Sequence, residues 1–394
     1  MTSAQTRALV LISVAQLLVL SLWFSASAVS GSLESAWGLS TSQVPWLTMA
    51  VQIGFVVGAL ASAVANLADR VPARRLFAVS ATVGAAANGL LVIVGSPSFA
   101  LVLAARFVTG AALAGVYPSG MKTIAGWFSE RRGMALGVLV GALTVGSALP
   151  HLVRGVGLDW QLVLASSSIL AMVGVAIMLT VGDGPYETPV SRFSWRHLHT
   201  IASNRGFRLA TLGYLGHMWE LYAAWTWVAT WVAASAFVGS PSVAAFMMIA
   251  IGGLGSWIAG WLADRRGRTT VAGGSLLISG TMAAATAVVF GGPSWLILVV
   301  LLVWGATIVS DSAQFSAMVT EVVDDEVRGT ALTLQTALGF SLTLVSIWLV
   351  AAIADASSWQ WAFLVLVPGP VVGIVAMVRL RRAPEARLLS QGKG

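Results

Sequence analysis

The chain has 394 residues, of which 57% are hydrophobic and only 9% are charged, and its formal net charge is +7 at pH 7. A soluble protein carries about 25% charged residues, so this composition excludes an ordinary soluble fold and indicates that lipid is the solvent. The basic excess lies in short loops between apolar runs, which is typical of membrane orientation rather than nucleic-acid binding. Because cysteine is absent and the four histidines show no metal-ligand spacing, we expect no disulfide, metal or other cofactor.

Long apolar runs recur along the whole chain. A transmembrane helix needs about 20 mostly apolar residues. Twelve runs reach about this length: 8–30, 44–66, 76–95, 98–127, 133–154, 160–181, 207–237, 242–262, 269–291, 294–319, 328–352 and 359–380. The first run exceeds the roughly 7–15 apolar residues of a signal peptide, so we expect a retained span. The polar stretch 182–206 is predicted to be a cytoplasmic linker between the N-terminal bundle, 1–181, and the C-terminal bundle, 207–394, which ends in a basic tail.

Lysine and arginine predict the orientation of these spans. If the N terminus is cytoplasmic, every basic loop falls on the cytoplasmic side. The loops on the other side contain neither lysine nor arginine: 31–43, 96–97, 155–159, 238–241, 292–293 and 353–358. Cytoplasmic loops of membrane proteins carry an excess of both residues. We therefore expect a multi-pass protein of a prokaryotic inner (plasma) membrane, with both termini in the cytoplasm.

Three short patterns occur twice, in the same order and at nearly constant spacing. The pairs are 67–70 with 262–265, 130–136 with 326–332, and 159–161 with 358–360. Such repetition predicts an internal duplication, so we expect two pseudo-symmetric halves of six helices each. Duplication of this kind is typical of secondary transporters, whose solute site lies between the repeats.

The loops after the second and eighth spans both contain Asp-Arg. The major facilitator superfamily has the pattern Gly-x-x-x-Asp-Arg-x-Gly-Arg-Arg/Lys in these loops, and the chain resembles that family over nearly its whole length. The second loop matches the pattern at Gly260, Asp264, Arg265, Gly267 and Arg268. The first loop lacks both glycines but keeps Asp69, Arg70, Arg74 and Arg75. The resemblance implies an all-α membrane fold of twelve helices and a carrier that works by alternating access. We expect a monomer.

These loops have two possible roles. An Asp at the end of a span can accept hydrogen bonds from the positively polarised start of a neighbouring helix. A nearby Arg can pair with a carboxylate across the gap between helices. Contacts of this kind would form in only one access state and act as a gating latch. The alternative is a positive-inside anchor, and we favour the latch because an anchor would not need the repeated Asp.

Ionisable groups within spans are expensive and usually functional. His217 and Glu220 lie three residues apart in the seventh span, so they share a helical face and can hydrogen-bond to each other. Histidine and a buried carboxyl group can take up and release protons. We predict proton coupling by this pair and by Asp311 in the tenth span. The alternatives are that the pair pins its helix or contacts solute, and that Asp311 is the counter-charge of an arginine.

Arg106, in the fourth span, stays charged at any relevant pH and must meet a carboxylate, a set of carbonyls or an anionic solute. With Gly110 it matches the family pattern Arg-x-x-x-Gly, in which the arginine implies proton coupling or solute binding. His151 and Arg154 are further candidate solute contacts, although Arg154 can also extend to the outer surface. Other candidate solute contacts are polar or aromatic residues within spans: Gln16, Trp23, Gln52, Asn88, Tyr117, Tyr222, Trp225 and Gln335.

Together these features predict a secondary active transporter. An enzyme is not expected, because the chain has no phosphate-binding loop and no clustered nucleophile or acid-base set. We expect a proton-coupled carrier of a small organic solute, with a preference for anions because of its buried cations. The alternative is proton-driven efflux of amphipathic, drug-like compounds. The direction of transport stays open.

Overall fold

A computed structural model describes residues 1–128, 132–186 and 194–394, except for the side chains at positions 68, 69, 132, 133, 195 and 391. Within these ranges the chain is helical and forms no strand, which confirms the predicted all-α fold. The α-helices are α1 (Ser3–Leu20), α2 (Ser30–Trp37), α3 (Trp46–Val64), α4 (Leu67–Arg70), α5 (Ala73–Val94), α6 (Phe99–Trp127), α7 (Arg132–Gly155), α8 (Trp160–Thr180), α9 (Leu198–Ser203), α10 (Arg205–Ala234), α11 (Pro241–Arg266), α12 (Arg268–Val289), α13 (Ser294–Ile308), α14 (Ser312–Val322), α15 (Arg328–Ala356), α16 (Trp359–Ala362) and α17 (Pro368–Arg381). Short 3₁₀ helices cover Ser27–Val29, Trp195–His197, Phe363–Leu366 and Pro384–Gly392.

Eleven helical segments in the described ranges are long and apolar enough to cross a membrane. The sequence predicted twelve, and α10 is the segment that is not among the eleven. Its 30 residues include His217 and Glu220, which lower its mean hydropathy, and most of the helix is buried. A helix enclosed by other helices can hold polar groups that a lipid-facing helix cannot. The twelfth span therefore stays a prediction.

The helices cluster into two compact units. The first comprises Met1–Val190 and Ser240–Ala250, and the second comprises Ser191–Gly239 and Ile251–Gly394. The structure does not test the predicted division into bundles 1–181 and 207–394. That division and the pseudo-symmetry of the two bundles stay predictions.

In the first unit, α3 and α6 are in backbone contact. A Cβ atom added to Gly54 would lie 2.0 Å from the carbonyl oxygen of Phe107, and one added to Gly110 would lie 2.0 Å from that of Val51. Small residues allow membrane helices to approach in this way. The glycine four positions after Arg106 is therefore required by packing, and the packing fixes the helix that carries the arginine.

In the second unit, α10 packs equally closely on α17. A Cβ on Gly216 would lie 2.4 Å from the carbonyl oxygen of Gly369, and a Cβ on Gly369 would lie 2.6 Å from that of Gly216. Gly216 directly precedes His217. The close contact therefore fixes the part of α10 that carries the predicted proton-coupling residues.

Two predicted spans are interrupted. The run 8–30 is helical only to Leu20 and continues through turns and a 3₁₀ segment before α2 begins at Ser30. The run 294–319 breaks between Ile308 and Ser312. Each break leaves backbone groups without partners in their own helix. Inside a membrane such groups need partners from the protein or from a water-filled cavity. Uniform apolarity conceals both breaks in the sequence.

We expect Gly110→Val to lower the melting temperature of the purified protein in detergent, because the new side chain would overlap the carbonyl oxygen of Val51. Overpacking of this kind costs about 1–3 kcal/mol. Gly137→Ala on α7 is the control, because an added Cβ there meets no atom within 4 Å. Equal melting temperatures for the two variants would contradict the proposed backbone contact.

Candidate functional site

Arg106 is fully buried in the first unit, and it donates to two backbone carbonyls at the break in the first span and to one on α3. Nη2 binds the oxygen of Trp23 at 2.7 Å, Nη1 binds that of Leu22 at 3.4 Å, and Nε binds that of Leu47 at 3.0 Å. Within the described residues no carboxylate forms an ion pair with it. Of the three partners left open by the sequence, the structure shows a set of carbonyls.

Asn88 completes this arrangement. Its Oδ1 accepts from Arg106 Nη1 at 3.0 Å and from Ser25 Oγ at 2.7 Å. Its Nδ2 donates to the carbonyl oxygen of Leu164 at 2.9 Å and to Ser168 Oγ at 3.0 Å. An amide has two acceptor and two donor positions, so its hydrogen-bonding capacity is used within the protein. The predicted solute contact at Asn88 is better described as a junction of α5, α8 and the broken span.

Arg154 and His151 lie near the end of α7 but differ in environment. Arg154 donates to the carbonyl oxygen of Leu158 at 2.8 Å and to Ser32 Oγ at 3.2 Å, so it joins the helix end to α2. This geometry favours the surface role over solute binding. His151 is fully buried, and neither ring nitrogen has a hydrogen-bond partner in the described part of the chain.

Two glutamines of the first unit share this property. Gln16 on α1 and Gln52 on α3 are fully buried, and neither amide atom of either residue has a partner among the described residues. The Gln16 amide lies against α6, where a Cβ on Gly120 would come within 2.3 Å of its Oε1. Buried polar atoms in proteins are nearly always hydrogen-bonded, so these groups call for a partner such as water or solute.

His217 contacts Asp311 rather than Glu220. Its Nδ1 lies 2.8 Å from Asp311 Oδ1, and both side chains are almost completely buried, with 1% and 2% of their surface exposed. Asp311 occupies the break between α13 and α14 and directly precedes α14, whose first turn favours negative charge. The predicted hydrogen bond between His217 and Glu220 is therefore wrong for this structure, because a carboxylate on another helix lies closer. Among the described residues, Asp311 forms an ion pair with His217 and with no arginine.

Glu220 is buried beside this pair on α10 and accepts two hydrogen bonds. Trp304 Nε1 donates to its Oε1 at 2.5 Å, and Ser279 Oγ donates to its Oε2 at 2.9 Å. Glu220 thereby connects α10 to α12 and α13. Sequence reasoning missed both donors, because one tryptophan among 17 and one serine in an apolar run carry no distinguishing signal.

The predicted aromatic contacts lie in ring clusters. Trp23 stacks at a tilt near Phe55, with 5.0 Å between ring centroids. Tyr222 lies 5.9 Å from Trp225 and 5.0 Å from Phe340. Two other predicted contacts stand apart from these clusters: Tyr117 is partly exposed on α6, and the buried amide nitrogen of Gln335 has no partner among the described residues.

One arginine of each Asp-Arg loop pairs with a carboxylate in its own unit. Arg74 binds Asp183 through two hydrogen bonds, Nε to Oδ1 at 2.9 Å and Nη2 to Oδ2 at 2.8 Å. Arg268 binds Glu321 through Nη2 at 2.8 Å and Nε at 3.0 Å, and its Nη1 donates to Gln314 at 3.0 Å. Both pairs use the bidentate geometry that arginine offers to a carboxylate.

The other loop residues take no part in these pairs. The Asp69 side chain lies outside the described part of the structure. Asp264 is exposed, so the predicted contact of its carboxylate with a helix start is not seen. The Arg265 guanidinium lies 3.5 Å from the centroid of the Trp261 ring. Four loop residues remain. Arg70 and Arg75 are exposed, a Cβ on Gly260 would meet no atom within 4 Å, and Gly267 is buried.

Comparison with known proteins gives one family and one fold. The sequence profile described as Major Facilitator Superfamily matches residues 12–309 and, in a second alignment, residues 211–394. Among solved structures, a point mutant of the nucleoside transporter NupG is similar with a TM-score of 0.70 and 16% sequence identity, over 95% of this chain and 99% of that chain. At this identity the likeness shows the shared fold alone. A search of curated protein sequences found no match.

We expect Arg106→Lys to lower the melting temperature clearly, although it keeps the charge. A lysine cannot reach all the acceptors, and each buried acceptor left without a donor costs about 1–3 kcal/mol. Arg154→Lys is the matched control and should cost less, because its partners lie near the protein surface. An arginine that served only a solute would give the opposite result, an unchanged melting temperature with weakened solute binding.

Proposed function

The chain belongs to the major facilitator superfamily, and on that basis we propose that it is a proton-coupled secondary active transporter that moves a small organic solute by alternating access. The family and the fold are those of transporters and not of enzymes, in agreement with the sequence analysis. We further propose that it resides in a prokaryotic inner membrane with both termini in the cytoplasm, a placement supported by the basic loops.

Proton coupling rests on the buried cluster of His217, Asp311 and Glu220. Ionisable groups so far from water are costly to maintain and usually mark a functional site. The imidazole and the Asp311 carboxylate share one contact of 2.8 Å, so a change in the protonation of either group alters their attraction.

The break before α14 offers a way for that change to reach the backbone. A helix start stabilises a carboxylate but gives little to a neutral acid. Protonation of Asp311 would therefore weaken both its contact with His217 and its interaction with the first turn of α14. Glu220 lies on the same helix as His217 and is held by donors from α12 and α13, so the cluster joins four helices of the second unit.

The solute is proposed to be polar and uncharged. Arg106 and Arg154, which favoured an anion in the sequence analysis, are engaged by acceptors of the protein. Among the described residues of the first unit, the buried amide and imidazole side chains without a hydrogen-bond partner are Gln16, Gln52 and His151. A carboxamide, like a neutral imidazole, both donates and accepts, and so recognises an uncharged partner with adjacent donor and acceptor atoms. Nucleosides are the first class to test, because amide side chains pair well with the edges of bases.

We expect Asp311→Asn to abolish accumulation driven by a pH gradient in proteoliposomes, since the amide cannot exchange a proton. The panel contains radiolabelled neutral nucleosides, monocarboxylates and lipophilic cations, and we expect the neutral solutes to be moved. Asp355→Asn, an exposed carboxylate on α15, is the control. Full gradient-driven accumulation by Asp311→Asn would remove the residue from coupling. Transport of lipophilic cations alone would favour the efflux alternative.

We expect Gln52→Leu to leave the melting temperature unchanged or raise it, because its amide has no hydrogen bond to lose among the described residues. Its apparent solute affinity should fall about tenfold or more, the factor that corresponds to losing a buried hydrogen bond or two. Asn88→Leu is the matched comparison and should lower the melting temperature instead. A large loss of stability in Gln52→Leu, with normal solute affinity, would assign Gln52 to the scaffold.

A further inference from the structure

The chain segment that follows α17 folds back onto the second unit. Pro384–Gly392 forms a 3₁₀ helix, and within it Leu389 is completely buried. The segment lies against the turn at Gly267, which joins α11 to α12, and against the end of α14. This part of the chain lies outside the predicted spans and was expected only to be a basic tail.

Three polar contacts hold the segment. The backbone N–H of Ser390 donates to Glu321 Oε2 at 3.1 Å, and the same carboxylate binds Arg268. Lys393 Nζ donates to the carbonyl oxygen of Asp264 at 2.7 Å. The N–H of Thr269 donates to the carbonyl oxygen of Gly394 at 3.4 Å. Arginine, carboxylate and C-terminal segment therefore form one connected set.

Both the backbone conformation and the close packing at position 267 require glycine. Its φ of +90° lies in the region that disfavours side chains. A Cβ at this position would also lie 2.2 Å from the carbonyl oxygen of Gly394 and 2.5 Å from that of Lys393. The second glycine of the loop pattern thus leaves the space that the C-terminal segment occupies.

We propose that residues 384–394 form an intrachain clamp that ties the Gly267 turn to α14 and restrains the adjoining ends of α11, α12 and α14. The clamp and Arg268, the candidate gating arginine, both bind Glu321. Release of the clamp therefore removes one of the hydrogen bonds that hold the carboxylate paired with Arg268. A few polar contacts and one buried leucine can open locally without unfolding the unit. Only the consequence for transport rate rests on the proposed function, because the clamp itself is defined by contacts within the chain.

A single cysteine reports on the clamp directly. The sequence contains no cysteine, so Thr269→Cys would supply the only thiol. Thr269 is 2% exposed, and its hydroxyl has no hydrogen-bond partner among the described residues, so the substitution removes no hydrogen bond between that side chain and those residues. The Gly394 carbonyl lies over its backbone N–H, so the clamp shields the site.

Ser390→Pro and Ser390→Gly, each in the Thr269→Cys background, form a matched pair. Ser390 has a φ of +47°, which proline cannot adopt and glycine can, and proline also lacks the N–H that binds Glu321. We expect maleimide labelling in detergent to be about tenfold faster with proline, as loss of a hydrogen bond to a charged group predicts, and unchanged with glycine. Equal rates in the two variants, or labelling of the parent as fast as at an exposed Asp324→Cys, would overturn the clamp.

Hydrogen exchange tests the restraint in the same two variants without any solute. We expect faster exchange of the amides of α14 and of the first turn of α12 in Ser390→Pro only. Faster labelling with unchanged exchange would show a docked segment that restrains nothing, and would overturn the proposal. Failure of the wild-type chain to move any solute would instead count against the proposed function, because neither measurement here depends on transport.

Discussion

A backbone carbonyl or N–H inside a membrane must find a partner within the protein or in an enclosed cavity, and the two interrupted helices of this chain meet that demand in different ways. Just after α1, the carbonyl oxygens of Leu22 and Trp23 accept hydrogen bonds from a buried cation, Arg106. A buried carboxylate, Asp311, directly precedes α14, but its side chain makes no capping hydrogen bond, and the N–H groups of Ser312 and Gln314 bind the carbonyl oxygens of Val309 and Asp311. Each buried charge has the sign that the neighbouring helix end favours.

The buried charges of this protein differ in their partners, and the partners distinguish charges that support the fold from charges that we propose to function in transport. Arg106 is surrounded by acceptors that do not titrate, so it serves the architecture of the first unit. Asp311 faces a histidine, and Glu220 lies on the same helix as that histidine, so the second unit brings several buried ionisable groups together. Within its described residues, the first unit has buried amides and an imidazole without hydrogen-bond partners. We therefore propose that coupling and recognition belong to different units, on chemical grounds within each unit.

Much of this could be predicted from the sequence. Apolar composition and run lengths predict an all-helical membrane protein, and the Asp-Arg loops lead to the correct family. Partners are harder to predict, because they come from other helices. His217 and Glu220 share a face, yet the nearest carboxylate to His217 is on another helix, which no spacing along α10 reveals. In the same way, an almost uniformly apolar run does not reveal where α1 ends or where α13 and α14 separate. Mean hydropathy also understates the tendency of α10 to form a membrane span, because the polar groups of α10 are enclosed by other helices.

The polarity of α10 also bears on how the protein is made. The translocon inserts each segment according to the hydropathy of that segment, and the mean hydropathy of α10 is lower than that of the eleven candidate spans. It is in close backbone contact with α17 through Gly216 and Gly369, and α17 is synthesised more than 130 residues later. Nascent chains that end before α17 should therefore hold α10 only loosely in the bilayer, which protease protection of ribosome-released fragments would reveal. Biogenesis of the second unit would then be completed from its last helix backwards.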